Sequence, residues 1–445
     1  MVKDLTKGNP LKLILIFAAP TLLGDLFQQF YGMVDTIIVG QFISTNALAA
    51  VGITGSMMFL LFGFTMGFTT GFNIITAQRF GAGDKDGVRQ VVAHSILLSV
   101  GLTVVMTAVG LLTIEPMLAE MSTPPELMED ALAYITVIYW GVGGSVFYNL
   151  AAGTMRALGD SRSPLYFLIF SSALNIGLDL LFVLVFHWGV AGTAIATIIA
   201  QALSFLLSLW YMGRKYPMLH FKRQDFQLDF RLIGQLLKLG VSIGLQSSVT
   251  ALGVMILQGA VNKLGSDVVA AYTAASRVEG ILQTPLMTLG VAMATYTAQN
   301  LGAKRLDRIQ EGVRKCMAVA LGICGVCMAA MFFLGRQITQ FFIEASETEV
   351  VSIAVQYIWV VAPFFLVLTL LFVYRNAVQG MGDSMTPMVS GIIELVCRVI
   401  VAAFFSAPFG FWAICWSEPF AWVLCTIPVI AVYYWRVHRL RRSLG

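Results

Sequence analysis

Two aspartates and a few polar neighbours stand in stretches that are otherwise apolar. Asp35 closes a run that also holds Asp25, Gln28 and Gln29, while Asn175 and Asp179 interrupt a later one. On helices, the seven-residue step from Gln28 to Asp35 and the four-residue step from Asn175 to Asp179 each keep the partners on one face. Counting about 1.5 Å per residue from the start of its run, Asp179 lies roughly 24 Å deep; Thr197, entering the next run from the opposite side, reaches a similar level. Two carboxyl groups with amide and hydroxyl oxygens at one level are suited to holding a small cation or sharing a proton. The bland alternative is a satisfied polar network that only locks helices together. Glu394 and Arg398 form a second candidate, spaced i, i+4 for an intrahelical ion pair facing a cavity, with a purely structural role as its rival. Arg277 and Glu279, two residues apart, do not face each other.

The elements that carry these residues follow from composition. The chain of 445 residues is 58% hydrophobic and 12% charged, against roughly 45–50% and 25% in soluble domains. Apolar runs of about 20 residues, each enough to cross a bilayer core, recur along its length. They place spans near 13–39, 46–77, 91–113, 129–152, 163–186 and 190–212, then 233–262, 267–297, 315–334, 350–375, 386–406 and 411–435. The expected fold is therefore an all-α polytopic membrane protein of about twelve transmembrane helices. Ionisable groups inside such spans cost roughly 2.5–3.5 kcal/mol each, which makes the acids above functional candidates. A net charge of +4 gives no support to nucleic-acid binding. The six cysteines all fall in the second half without a disulfide pattern, and Cys324 and Cys327 lie in an apolar helix rather than a redox context. His94, His187, His220 and His438 are scattered, and no phosphate-binding loop of the G-x-x-x-x-G-K-[ST] type occurs, which argues against an enzyme or nucleotide-driven pump.

Basic residues are asymmetric. With the N-terminus inside, Lys3, Lys7, Lys12, Arg79, Arg156, Arg214, Lys222, Arg223, Arg305, Arg308, Arg439 and Arg442 gather at cytoplasmic ends, and both termini are expected there. The outer loops keep Lys263 and Arg336. A repeat halves the chain: Gln78-Arg-Phe-Gly81-Ala82 returns as Gln299-Asn-Leu-Gly302-Ala303, and Gly159-Asp160-Ser161 with Pro164 returns as Gly382-Asp383-Ser384 with Pro387, about 222 residues further on. Six spans per half give a parallel repeat of two pseudo-symmetric six-helix bundles, a plan common among transporters that rock around a shared cavity. The lobes are expected at residues 1–213 and 233–445, joined by a basic cytoplasmic linker at 214–232. The second half does not repeat the acids; Leu257 stands at the offset of Asp35.

Taken together, Pro20, the run Gln29-Phe-Tyr-Gly-Met-Val-Asp35-Thr-Ile-Ile-Val-Gly40, Arg156-Ala-Leu-Gly159-Asp160, Asn175-Ile-Gly-Leu-Asp179 and Gln379-Gly-Met-Gly-Asp383 resemble the multidrug and toxic compound extrusion (MATE) family over nearly the whole chain. Glu394-Leu-Val-Cys-Arg398 is similar to its DinF-like branch. The resemblance implies an antiporter of the inner membrane that exports organic, often cationic and amphipathic compounds in exchange for Na⁺ or H⁺. It needs no cofactor. By the same resemblance Asp35, Asn175, Asp179 and Thr197 match the cation or proton site, a possible Na⁺ site included, and Pro20 matches a proline at which the first helix bends. Where some members carry a seventh-helix glutamate this chain has Thr250, and Asp25 stands where asparagine is frequent. Small organic substrates and membrane lipids are the expected partners of a monomer. A lipid-linked precursor flippase of the same superfamily is the rival function, with an integral membrane enzyme behind it.

Overall fold

A computed structural model describes residues 4–121, 123–343 and 346–444; Lys3, counted above among the inner basic residues, lies outside them. These residues are helical almost throughout, with no strand among those described. The first repeat holds α1 (Pro10–Phe42), α2 (Thr45–Gly81), α3 (Lys85–Glu120), α4 (Pro125–Trp140), α5 (Val142–Ala157), α6 (Arg162–Leu180) and α7 (Gly189–Lys215). The second holds α8 (Phe230–Asn262), α9 (Ser266–Gly302), α10 (Leu306–Thr339), α11 (Thr348–Val361), α12 (Phe365–Gly380), α13 (Met385–Ile400), the short α14 (Ser406–Phe409) and α15 (Phe411–Leu444).

Ten spans among the described residues are long and apolar enough to cross a membrane, and the pair α4 and α5, bent by 47° at Gly141, makes an eleventh. The 37-residue α9 supplies the twelfth long segment; Gln283, Thr284, Thr288 and Thr295 thin out its apolar content. The twelve expected spans are thus all helical. Most run longer than hydropathy alone indicates, because a helix continues past the apolar run once its backbone bonds are propagating.

Contacts divide the chain into one unit of Met1–Asp4 with Ala19–Gly244 and another of Leu5–Ala18 with Leu245–Gly445. The division falls after Gly244 rather than in the expected linker. Segment 214–232 is packed, not a free tether: Tyr216 and Leu219 join the core of Val88, Val92, Met155 and Leu158, and the buried Asp225 carboxylate accepts from Arg89 Nε at 2.5 Å and from the Lys222 amide at 2.6 Å. The start of α8 belongs to the first unit because two glycine pairs let it touch α2. A Cβ on Gly71 would stand 2.5 Å from the Gly240 nitrogen, and one on Gly67 2.7 Å from the Ile243 carbonyl oxygen. Gly67-x-x-x-Gly71 and Gly240-x-x-x-Gly244 are the small-residue motifs that allow helix backbones to meet in lipid. Gly71→Ala is therefore expected to cost about 1–3 kcal/mol by overpacking and to lower the apparent melting temperature in detergent. Gly101→Ala on α3, where a Cβ meets nothing within 4 Å, is the matched control and should leave it unchanged or higher.

The repeated Gly-Asp-Ser motifs prove to be helix entries, while residues 78–82 and 299–303 close α2 and α9. Asp160 Oδ1 accepts from the amides of Arg162 (3.2 Å) and Ser163 (3.1 Å) at the start of α6, and Asp383 Oδ1 accepts from Met385 (2.8 Å) and Thr386 (3.1 Å) at the start of α13. Each aspartate also meets a cation from the last helix of its repeat, Lys215 at 3.2 Å and Arg436 at 2.8 Å. The preceding Gly159 and Gly382 take φ of +82° and +79°, which favours glycine. Further on, α6 and α13 both pass into a π-helical turn, Leu181–Val185 and Val401–Phe405.

Candidate functional site

Helices α1, α6 and α7 of the first unit bring the four expected residues together. The carboxyl groups of Asp35 and Asp179 lie in hydrogen-bonding range of each other. Asn175, one turn before Asp179, is satisfied with its amide nitrogen toward the acids: it donates to Asp179 Oδ2 and to the Tyr31 hydroxyl, both at 3.0 Å, while its oxygen accepts from Thr197 Oγ1 at 3.2 Å and the Thr197 amide at 3.1 Å. Asp179 and Asn175 are 0% and 1% exposed, so water contributes little to solvating them. One oxygen of each aspartate, Oδ1, is buried without a hydrogen-bond partner among the described residues. Uncompensated buried acceptors of this kind mark a site with capacity for one more ligand. All the oxygens present are hard donors of the type that alkali and alkaline-earth cations accept.

Tyr31 is the member that sequence reading missed. It stands one turn before Asp35 on α1, and its hydroxyl reaches Thr197 as well as Asn175. Its i, i+4 spacing from Asp35 was a usable signal. Directly after Asp179 the backbone enters the π-helical turn, a feature that recurs at functional positions of helices.

The acid cluster closes one end of a cavity of about 380 Å³ that lies within the first unit. Pro20, Asp25, Arg156 and Ser161 line the other end, and Met58, Phe62, Met66, Leu165 and Leu168 form apolar walls. Pro20 is inside α1, which is helical on both sides of it. Asn149 lines the cavity too, without a hydrogen bond to either aspartate among the described residues. The volume falls in the range of small-molecule sites, about 300–1,000 Å³.

In the second unit, Glu394 and Arg398 do approach each other, but at 3.5 Å. The closer partner of Arg398 is Glu418, held by a two-pronged contact of Nε to Oε1 (3.0 Å) and a terminal nitrogen to Oε2 (2.8 Å). Glu394 in turn takes Arg375 at 3.1 Å and the Thr250 hydroxyl at 3.4 Å. The buried Glu279 accepts from the Tyr357 hydroxyl (2.8 Å) and Gln283 (3.2 Å). The pair read from spacing is thus one edge of a network. All six cysteines are free and buried.

Two six-span helical repeats, with an acid cluster facing a small-molecule-sized cavity inside one of them, define a polytopic membrane transporter. The MatE family model matches residues 20–181 and again 242–404, one match per repeat, and the chain belongs to this family, that of the MATE transporters. It is 30% identical over 410 residues to the probable multidrug resistance protein YpnP of Bacillus subtilis, covering 92% of this chain and 91% of that one. It is 29% identical to the probable multidrug resistance protein YoeA of the same organism, over 75% and 73% of the two chains. Among solved structures, a MATE protein in the bent conformation superposes with a TM-score of 0.91 at 23% identity, covering 99% and 98% of the chains. The protein is accordingly a multi-pass membrane transporter and not an enzyme.

Proposed function

We propose that the protein is an ion-coupled multidrug efflux antiporter, exporting organic, often cationic and amphipathic compounds while Na⁺ or H⁺ enters. The observation that carries this reading is the Asp35 and Asp179 couple at the closed end of the first-unit cavity, with Asn175, Thr197 and Tyr31 as neutral partners. Two carboxyl groups in mutual contact accept one cation between them far more readily than they remain as two bare charges. An entering Na⁺ or H⁺ and a cationic drug then compete for the same negative charge. Either ligand shifts the alternating-access balance only by its difference in affinity between the two states, and Pro20 is the point at which α1 can bend to make them. The relatives named for multidrug resistance support the substrate class, and they favour it over the flippase. The basic ends support an inner-membrane orientation with both termini cytoplasmic, and small organic molecules and lipid are its partners.

The test is ethidium efflux from proteoliposomes with a Na⁺ gradient and a pH gradient imposed one at a time. Efflux driven by at least one of them is the expected result. Ethidium movement indifferent to both would remove the coupling.

A further inference from the structure

We infer that Arg156 anchors the carboxylate of zwitterionic substrates at the end of the first-unit cavity opposite the acid cluster, an inference that rests on the exporter reading above. Arg156 sits in the last turn of α5 and lines the cavity. Among the described residues its guanidinium forms no hydrogen bond or ion pair, which sets it apart from the other arginines held inside the bundles. Arg89 meets Asp86 and Asp225, Arg308 meets Asn300 and two backbone carbonyls, Arg375 meets Glu394, and Arg398 meets Glu418. Arg156 is half-buried, and five N–H donors that face a cavity without a hydrogen-bonding acceptor invite a ligand.

The charge nearest to Arg156 is Asp25, felt electrostatically across the cavity end together with the Tyr148 hydroxyl. Asp25 keeps the empty cavity from holding a bare cation while leaving the guanidinium fork open. Ten residues of α1 separate Asp25 from Asp35, about 15 Å along the helix. The cavity is therefore dipolar, with Asp35, backed by Asp179, at one end and Arg156 at the other, and apolar walls between. A compound carrying only positive charge engages the acids and leaves the guanidinium without a partner. One that carries an amine at one end, an apolar body and a carboxylate at the other matches both ends, and the planar guanidinium grips a carboxylate with two parallel hydrogen bonds.

11-Aminoundecanoic acid, with an amine and a carboxylate at the two ends of an apolar chain, and its methyl ester, which keeps the chain and the amine but loses the carboxylate, separate the terms. Calorimetric titration of the purified protein should show the acid binding more tightly than the ester by about tenfold, the scale of one charge-assisted contact. In Arg156→Gln the ratio should fall to about one, by loss of affinity for the acid alone. Arg156→Lys, which keeps the charge but not the fork, should give an intermediate ratio and serves if the glutamine variant does not fold. A wild-type ratio near one, or a wild-type ratio retained in either variant, overturns the assignment. Gradient-driven ethidium efflux by the wild type reports on the exporter reading separately, so that a failure of coupling is distinguishable from a failure of the anchor.

Discussion

Gradient-driven efflux in Asp35→Asn and in Asp179→Asn is expected to fall by about a hundredfold, the upper range of a coupling free energy of about 1–3 kcal/mol, with protein amount and melting temperature close to wild type. Asparagine keeps the size of aspartate and one acceptor oxygen, so Asp179→Asn still takes the amide of Asn175 in place of the 3.0 Å contact to Oδ2. What it loses is the ability to change charge. A helix-locking network would tolerate that exchange, and a coupling site would not. Substrate binding without a gradient is expected to survive in both variants, because the apolar walls and the other acid remain. Efflux at wild-type rate in both, measured at matched protein amount, would return Asp35 and Asp179 to a structural role.

In the second unit the largest effect is on stability. Arg398→Met strips Glu418 of its two-pronged partner and leaves Glu394 with Arg375 alone. Removing one member of a buried ion pair typically costs about 3–5 kcal/mol, and the apparent melting temperature in detergent should drop accordingly. Replacing both partners, Arg398→Met with Glu418→Met, removes the stranded charge and should restore most of the loss, since apolar replacement of a whole pair is often neutral. A double variant that melts below Arg398→Met would show that Glu418 is held by something other than Arg398.

The twelve helices were legible in the sequence because lipid demands long apolar runs with every backbone group bonded internally. The acid cluster was legible for the same reason: Asp35, Asn175, Asp179 and Thr197 are conspicuous in apolar surroundings, and helical depth brings them to one level. Tyr31 escaped notice because a tyrosine is not costly at such a position, though its spacing from Asp35 was available. Glu418 was visible as a charge in an apolar run, but its partner Arg398 lies twenty residues away on another helix, a distance that no helical period predicts. Arg156 reads from sequence as one more basic residue at a cytoplasmic end, and only the packing of α5 against α2 and α7 turns it into the cavity. The glycine pairs of α2 and α8 were present as motifs, yet which helix each would meet is a property of tertiary structure. The repeated Gly-Asp motifs were informative about duplication; their chemistry is helix entry.

The claim that the Asp35 and Asp179 couple exchanges an ion for substrate is tested most directly by following the ion when substrate binds. Ethidium added to the purified transporter in lightly buffered solution, or to protein equilibrated with radioactive Na⁺, should release protons or Na⁺ from the wild type. The Asp35→Asn and Asp179→Asn double variant, shown to bind ethidium, should release neither. Equal ion release by the wild type and the double variant would contradict the account.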